Sequence, residues 1–423
     1  MAMHVIFPGP RTTIQDLGRT GYQNSGFGPG GFIDRAASAR ANALVGNSDD
    51  EAVIEFCLIG PVLQFDEEVN LAVCGGDFGI DVEGTVYSAD KAVHVPAGAA
   101  ARITTGSVGI YGSIAVAGGL AIPVVMGSRS TSLRCGFGGF EGRALMAGDI
   151  IALRHPEKGR EDLSRRWVPA RQPASLSESG AVRIRVIPGP QEDMFTGEGL
   201  RTFYESAYEI SSHSDRMGFR LRGPAVEAKS GYDILSDGVV NGSVQISGAG
   251  EPIVMMADRQ TTGGYAKIAT VISVDIPVLA QLRPGQKVQF AKCAVQEAQR
   301  LIREADSAWK QHRRMLDEGI PEGLSETADG VRPGKDYAGN PAGDSMNTSN
   351  TSAGLSAGAQ QREAIPVVLS QGLEVEIFRP LDEDRQRFGW KRRPCRLSEG
   401  GSRQHGWKRA ASDSGGRQAG RKE

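Results

Sequence analysis

The chain contains no run of the roughly 18 uninterrupted apolar residues that a membrane-spanning helix needs, so a transmembrane protein is not expected. Its cysteines, Cys57, Cys74, Cys135, Cys293 and Cys395, are scattered, odd in number and never in C-x-x-C spacing. That pattern gives neither a zinc site nor a disulfide framework. The six histidines stand without ligand spacing, so no metal site is expected. No G-x-x-x-x-G-K-[ST] phosphate loop occurs, and "GGYAK" at Gly263–Lys267 is too short to be one. A G-x-S-x-G nucleophile elbow and an H-E-x-x-H zinc helix are also missing. The opening residues Met1–Pro8 lack a cationic stretch and meet proline before any long apolar run, which argues against a secretory signal. The expected location is the cytoplasm.

What is present is 423 residues, enough for two or three domains, with 39% hydrophobic and 23% charged residues. The 56 glycines exceed average usage and point to many tight turns between short strands. Net charge is -2, but it is unevenly placed: from Arg385 onward 12 Lys/Arg face only Glu399, Asp413 and Glu423. An acidic body with a basic tail does not suit a nucleic-acid-binding core.

Up to about residue 293, short β-branched runs alternate with glycine-rich turns, among them Val53–Phe56, Val69–Val73, Val182–Ile187 and Ile268–Val274. This spacing predicts barrels or sandwiches. One helix interrupts them, with Asp34 as N-cap, an apolar stripe at Ala37, Ala41 and Leu44, and a stop at Gly46-Asn47. "VIFPGP" at Val5–Pro10 is echoed by "VIPGP" at Val186–Pro190, and "MAGDIIAL" at Met146–Leu153 by "RPGQKVQF" at Arg283–Phe290. Two related β-barrels, 3–155 and 181–293, joined by a polar linker over 156–180, are the economical reading. Helical spacing of Val295, Ala298, Leu301, Ile302, Ala305 and Trp309 predicts an amphipathic helix over 294–320. The tract 330–423, low in complexity and basic at its end, is expected to be largely disordered, with two short strands between Ile365 and Phe378.

The segment richest in chemistry is Ala257–Asp275, where a strand runs into Asp258-Arg259-Gln260-Thr261-Thr262-Gly263-Gly264-Tyr265 and a second strand begins with Lys267. It offers an acid, a bidentate cation, an amide, hydroxyls and a phenol beside glycines that let a ligand approach the backbone. The same residues also suit an ordinary hairpin whose polar groups satisfy one another. Three other segments combine arginine with glycine: Thr12–Arg19, Gly127–Arg143 and Ser214–Pro224, the last containing Asp215-Arg216. Each suits anion capture, or a plain turn with an ion pair worth ~1 kcal/mol or less. Cys74, at the end of an apolar run, reads as a buried structural thiol more readily than as a nucleophile.

Taken together, "TTIQDLGR", "ANALVGN", "GSRST", "GFGGFEGRAL", "SDRMGFRL" and "ADRQTTGGYAKIATVIS" resemble the biotin-dependent carboxyltransferase family that includes the C subunit of 5-oxoprolinase. The same family includes the antagonist of the Kip histidine-kinase inhibitor and the carboxyltransferase domain of urea carboxylase, known in older naming as the second subunit of allophanate hydrolase. The resemblance covers residues 4–292, and Cys135, where glycine is expected, departs from it, as does the long tail. It implies a mainly β fold of two cyclophilin-like barrels, and a hydrolase subunit active only with its A and B partner subunits. The implied reaction opens 5-oxoproline to L-glutamate, driven by ATP hydrolysis. The alternatives it leaves are a biotin-dependent carboxyltransferase component, with biotin supplied on a partner chain, and a non-catalytic regulator. It implies that Arg259 and Lys267 hold an anion, that Gln260 and Thr261 orient an amide, and that Asp258 or Tyr265 moves a proton. Asp215 and Arg216 would form a second wall, Gly263 and Gly264 would admit the substrate, and Arg19 and Arg129 would reach in from the first barrel.

Overall fold

Strand β5, Val69–Gly75, is buried along almost its whole length, so both of its faces must be covered. One face joins the core of the first module; the other lies under helix α1, Arg35–Leu44, whose Ala37, Ala41 and Leu44 pack with Ala72 and Cys74. Asp34 caps α1 by accepting the Ala37 N–H at 3.0 Å, and Gly46, at φ 74°, follows its C-terminus. The computed structural model that shows this describes residues 1–160, 163, 166–169, 174–319, 364–368 and 374–378.

The other strands of the first module are β1 Ala2–Phe7, β2 Thr12–Gln15, β3 Val53–Cys57, β4 Val62–Phe65 and β6 Gly79–Val82. They continue with β7 Thr85–Ser88, β8 Ala92–Val95, β9 Ala100–Thr104, β10 Tyr111–Val116 and β11 Ile150–Ala152. They form two sheets, β11-β1-β4-β9-β6-β7 and β2-β3-β10-β5-β8, which enclose one core that includes Met3, Phe56, Phe65, Leu71 and Ile114.

The second module is a closed hydrogen-bonded barrel in the order β12-β19-β16-β17-β14-β13-β20. Its strands are β12 Val182–Pro188, β13 Ala207–Ile210, β14 Gly218–Arg222, β16 Ser243–Ile246, β17 Pro252–Met255, β19 Lys267–Val271 and β20 Lys287–Lys292. A separate two-stranded ribbon pairs β15, Asp233–Gly238, with β18, Thr262–Tyr265. Helices α2, Gly197–Glu205, and α3, Ile276–Ala280, complete the module. The sequence echo between the modules does not extend to pairing: β1 meets β11 antiparallel, whereas β12 meets β20 parallel.

The modules share a boundary built from both. Ile33, Ile110 and Tyr111 of the first pack into the core of the second. Gln281, just after α3, donates to Asp34 Oδ2 (2.7 Å) and the Tyr111 carbonyl (3.0 Å), and accepts from the N–H groups of Ile110 and Tyr111. The segment between the modules is not merely a spacer, since Leu163 and Val168 are buried in the cluster under α1. Helix α4, Val295–Glu318, returns to the first module: Leu316 joins that cluster, Trp309 Nε1 donates to Asp49, and Arg313 donates to Asp49 and the Asn47 carbonyl. Ala364–Val368 and Glu374–Phe378 form a two-stranded sheet; the remainder of the expected disordered tail lies outside the described residues. Among the described residues, no helix is long and apolar enough to cross a membrane, and no cluster of metal-ligating side chains is present.

Candidate functional site between the two modules

Asp258 follows β17 at the start of the turn that leads into the ribbon, and its backbone N–H is anchored on the Arg216 carbonyl at 2.8 Å. The Arg216 side chain returns along the same path, donating from Nε to Asp258 Oδ2 (2.9 Å) and from Nη2 to Oδ1 (3.0 Å). This bidentate fork fixes the plane of the Asp258 carboxylate. Arg216 is itself buried and crosses the module boundary, donating to the Gly31 carbonyl at 2.6 Å and to Glu55 Oε1 of β3. Glu55, only 2% exposed, takes the Ile33 N–H on its other oxygen at 2.9 Å. Burial pushes its carboxyl above the ordinary range, against the opposing pull of Arg216 and the Ile33 N–H.

Arg19 approaches Asp258 from the first module. It is 1% exposed, donates Nη2 to the Ser130 carbonyl, and lies over the Phe137 ring at 4.7 Å. Its Nε and Nη1 are buried and have no hydrogen-bond partner among the described residues. Burial lowers the Arg19 guanidinium from its ordinary value, and the charges of Asp16 and Asp258 partly offset this. A Cβ placed on Gly30 would lie 3.5 Å from Arg19 Nη1 and 3.7 Å from Asp258 Oδ1. Those two groups make no ion pair with each other among the described residues. Gly30, at φ 62°, thus leaves a small space with a free cationic donor on one side and a carboxylate on the other.

Arg19 is held by a rack that explains two of the sequence motifs. Asp16 accepts from Ser128 Oγ and Ser130 Oγ at 2.6 Å each, from the Arg129 N–H at 2.5 Å and from the Gly18 N–H at 2.8 Å. The Gly127–Thr131 segment is thereby tied to the loop that carries Arg19. Arg129 is occupied inside the rack: its Nε donates to the Ile122 carbonyl at 3.2 Å.

The other expected site residues have different surroundings. Arg259 is buried, donating Nε to the Val239 carbonyl (3.1 Å) and Nη1 to the Met256 carbonyl (3.3 Å). Desolvation pushes its guanidinium down to about 10 despite neighbouring Asp258. Lys267 is buried and pairs with Asp237 Oδ2 of the ribbon at 2.7 Å. Burial would raise the Asp237 carboxyl, but the hydrogen bond and charge of Lys267 outweigh it and the net direction is down. Gln260 and Thr261 are half-buried in the turn, and Tyr265 is exposed on β18. Asp215 serves its own turn, accepting the Met217 N–H at 2.8 Å. A Cβ on Gly263 would lie 2.6 Å from Gln245 Nε2, so that side chain would have to shift, while Gly264 has ordinary space. Cys74 is fully buried with its thiol pushed well up by desolvation, which makes it an inert packing group.

Glu55, Gly30, Phe137 and Ser130 were not singled out from the sequence. Ser130 and Phe137 lie within the Gly127–Arg143 segment, and Glu55 left its own signal as a lone carboxylate within the apolar run Val53–Phe56.

The fold and this boundary define a mainly β chain with a charged recess assembled from two modules. Residues 25–292 match the family model of the carboxyltransferase domain, subdomain A and B, and the chain belongs to that family. It is 35% identical over 308 residues to the 5-oxoprolinase C subunit of Haemophilus influenzae, covering 73% of this chain and 96% of that protein. It is 30% identical over 328 residues to urea amidolyase of Lachancea kluyveri, covering 73% of this chain but only 18% of that much longer protein. The crystal structure of Kluyveromyces lactis urea carboxylase superposes with a TM-score of 0.64 at 28% identity, over 79% of this chain and 30% of that one. These relatives are enzymes or named subunits of enzymes, and the Haemophilus protein, being one subunit of several, implies partner chains.

Proposed function

We propose that this chain is the C subunit of a cytoplasmic, ATP-dependent 5-oxoprolinase that opens 5-oxoproline to L-glutamate together with its A and B partner subunits. The observation that carries the reading is the unpaired opposition of Arg19 and Asp258 across Gly30. A lactam presents an accepting carbonyl oxygen and a donating N–H on neighbouring sides of one plane. Arg19 has free N–H groups for the oxygen, and Asp258 has a carboxylate for the N–H. Charge builds on the carbonyl oxygen as its carbon is attacked, and a buried guanidinium fixed in place by Ser130 and Phe137 stabilises that charge without reorganising. The attacking water forms the new C–O bond and gives up a proton to Asp258, which passes it to the amide nitrogen as the C–N bond breaks. The similarity to the Haemophilus protein over nearly its full length supports the same assignment.

Within this reading, Arg259 and Lys267 act by bracing the turn and the ribbon, Gln260 and Thr261 line the approach, and Arg216 orients Asp258. No phosphate loop occurs in the sequence, and the cations at the recess already have carboxylate counterparts, Arg216 being held between Glu55 and Asp258 and Arg19 facing Asp258. ATP is therefore assigned to the partner subunits, and no step of this chain's chemistry is routed through it. A second reading, a carboxyltransferase component, is favoured by the fold match to urea carboxylase. The ureido ring of biotin carries the same carbonyl and N–H pattern, so carboxybiotin delivered on another chain suits the same recess.

The deciding experiment is 5-oxoproline-dependent ATP hydrolysis by this chain, alone and mixed with its A and B partners. Activity in the mixture only is expected. A stable complex without that activity, but with carboxyl transfer to urea in the presence of a biotinylated partner, would replace the first reading by the second.

A further inference from the structure

Glu55 touches neither the recess nor solvent, yet it reaches the recess through one intermediary. Arg216 is shared between two carboxylates on opposite modules: Nη1 goes to Glu55, while Nε and Nη2 hold both oxygens of Asp258. Both Glu55 oxygens accept N–H groups, one from Arg216 and one from Ile33, which is the arrangement of an ionised carboxylate. Its remaining neighbours are Thr13 and Ser113 on the adjacent strands, with Tyr111, Cys57 and Arg11 nearby. Asp258 is faced by Arg216, has the buried Arg259 beside it and, across the Gly30 space, meets Arg19 with Asp16 behind it.

We propose that Glu55 is a positioning residue for Asp258: by occupying one side of Arg216, it prevents that arginine from neutralising Asp258 completely and keeps Asp258 a competent acceptor for the substrate N–H. A single Arg–Asp pair would bind the carboxylate firmly and leave it a poor acceptor. Asp258 already lies near Arg216, Arg19 and Arg259, and in this carboxylate–arginine–carboxylate row the Glu55 carboxylate on the far side of Arg216 offsets part of that positive charge. The row also explains why a charge sits in the middle of the otherwise apolar strand β3. The first module thus supplies both the donor, Arg19, and the tuning of the acceptor on the second.

This inference rests on the amide-binding reading of the recess, and its test separates the two. Glu55→Gln keeps an oxygen for Arg216 but removes the charge that competes with Asp258. In the assembled enzyme, kcat for 5-oxoproline is expected to fall about tenfold or more with KM within about twofold, and the acidic limb of kcat/KM to move to lower pH. Loss of packing alone would not move that limb. In parallel, binding of 2-imidazolidinone, a neutral cyclic ureido probe, to the full chain is followed by NMR saturation transfer across pH. Glu55→Gln should extend binding to lower pH than wild type. Glu55→Asp, whose shorter side chain withdraws from Arg216 but keeps its charge, should give a smaller shift in the same direction, and it carries the test if Glu55→Gln does not fold.

Probe binding and the acidic shift without 5-oxoprolinase turnover would support the role of Glu55 and overturn the proposed reaction. Turnover with an acid limit unchanged in both variants would overturn the role of Glu55 and leave the reaction standing. A full chain that binds no probe at any pH counts against both.

Discussion

Arg19 and Asp258 face each other across the missing side chain of Gly30, one from each module, without forming an ion pair. Buried Arg19 and half-buried Asp258 would attract each other. Here each is restrained from behind, Arg19 by Ser130 and Phe137 and Asp258 by the fork of Arg216. The recess between them is kept open by the fold itself.

Arg19→Lys tests the donor side. Lysine keeps the charge but has a single terminal nitrogen, which cannot hold Ser130 and offer a planar pair of N–H groups at the same time. Steady-state kinetics of the assembled enzyme should show kcat/KM reduced by about 100-fold, with the complex still formed on size-exclusion chromatography.

Gly30→Ala tests the space. The added methyl enters between Arg19 and Asp258, and the residue must adopt φ near 62°. The left-handed conformation costs roughly 1–2 kcal/mol for a non-glycine residue. The expected result is a melting temperature lower by a few degrees and a KM raised about tenfold or more. An unchanged KM would place the substrate elsewhere.

Asp16→Ala tests the rack. It strands the hydroxyls of Ser128 and Ser130 and the N–H groups of Arg129 and Gly18 in a buried site. Unfolding in urea should show a loss of about 2–4 kcal/mol, larger than for any single alanine substitution at the exposed ribbon residues Ser236 or Leu235.

Acid stability should carry a contribution from Asp149. The hydrogen bonds from Arg143, at 2.7 and 2.8 Å, hold its carboxyl below the ordinary carboxylate range. A carboxyl depressed by folding contributes stability that is fully present above its unfolded value, near 4, and is lost as pH falls through the folded value. Wild type should therefore lose stability below about pH 4 more steeply than Asp149→Asn, as measured by urea midpoints across the acid range.

Much of the architecture was legible because it rests on local chemistry. The Asp34 cap, the alternation of short strands with glycine turns, and the helical period after Cys293 each depend on neighbours within a few residues. Arg19, Arg216 and Asp258 were picked out for their glycine-flanked loops. Their partners were not, because Asp16 meets Ser128 across 112 positions and Arg216 meets Glu55 across 161. The polar tract 156–180 concealed Leu163 and Val168, which pack under α1 although their surroundings read as a plain linker. Nor did the strand pattern distinguish the two-sheet closure of the first module from the closed ring of the second, since hydrogen-bond order is set by tertiary pairing. The partners of Arg259 and Lys267 were hidden for the same reason: a cation held by distant backbone or by Asp237 is identical in sequence to a free one.

The most direct measurement is the 5-oxoproline-dependent ATPase of the fully assembled enzyme with Asp258→Asn in this chain. Asparagine is nearly isosteric, keeps an oxygen for Arg216, and cannot exchange the proton. A fall in kcat of about 100-fold or more, with subunit assembly retained, is the predicted result. Wild-type turnover by Asp258→Asn would contradict the account, because no other acceptor faces Arg19 across the recess among the described residues.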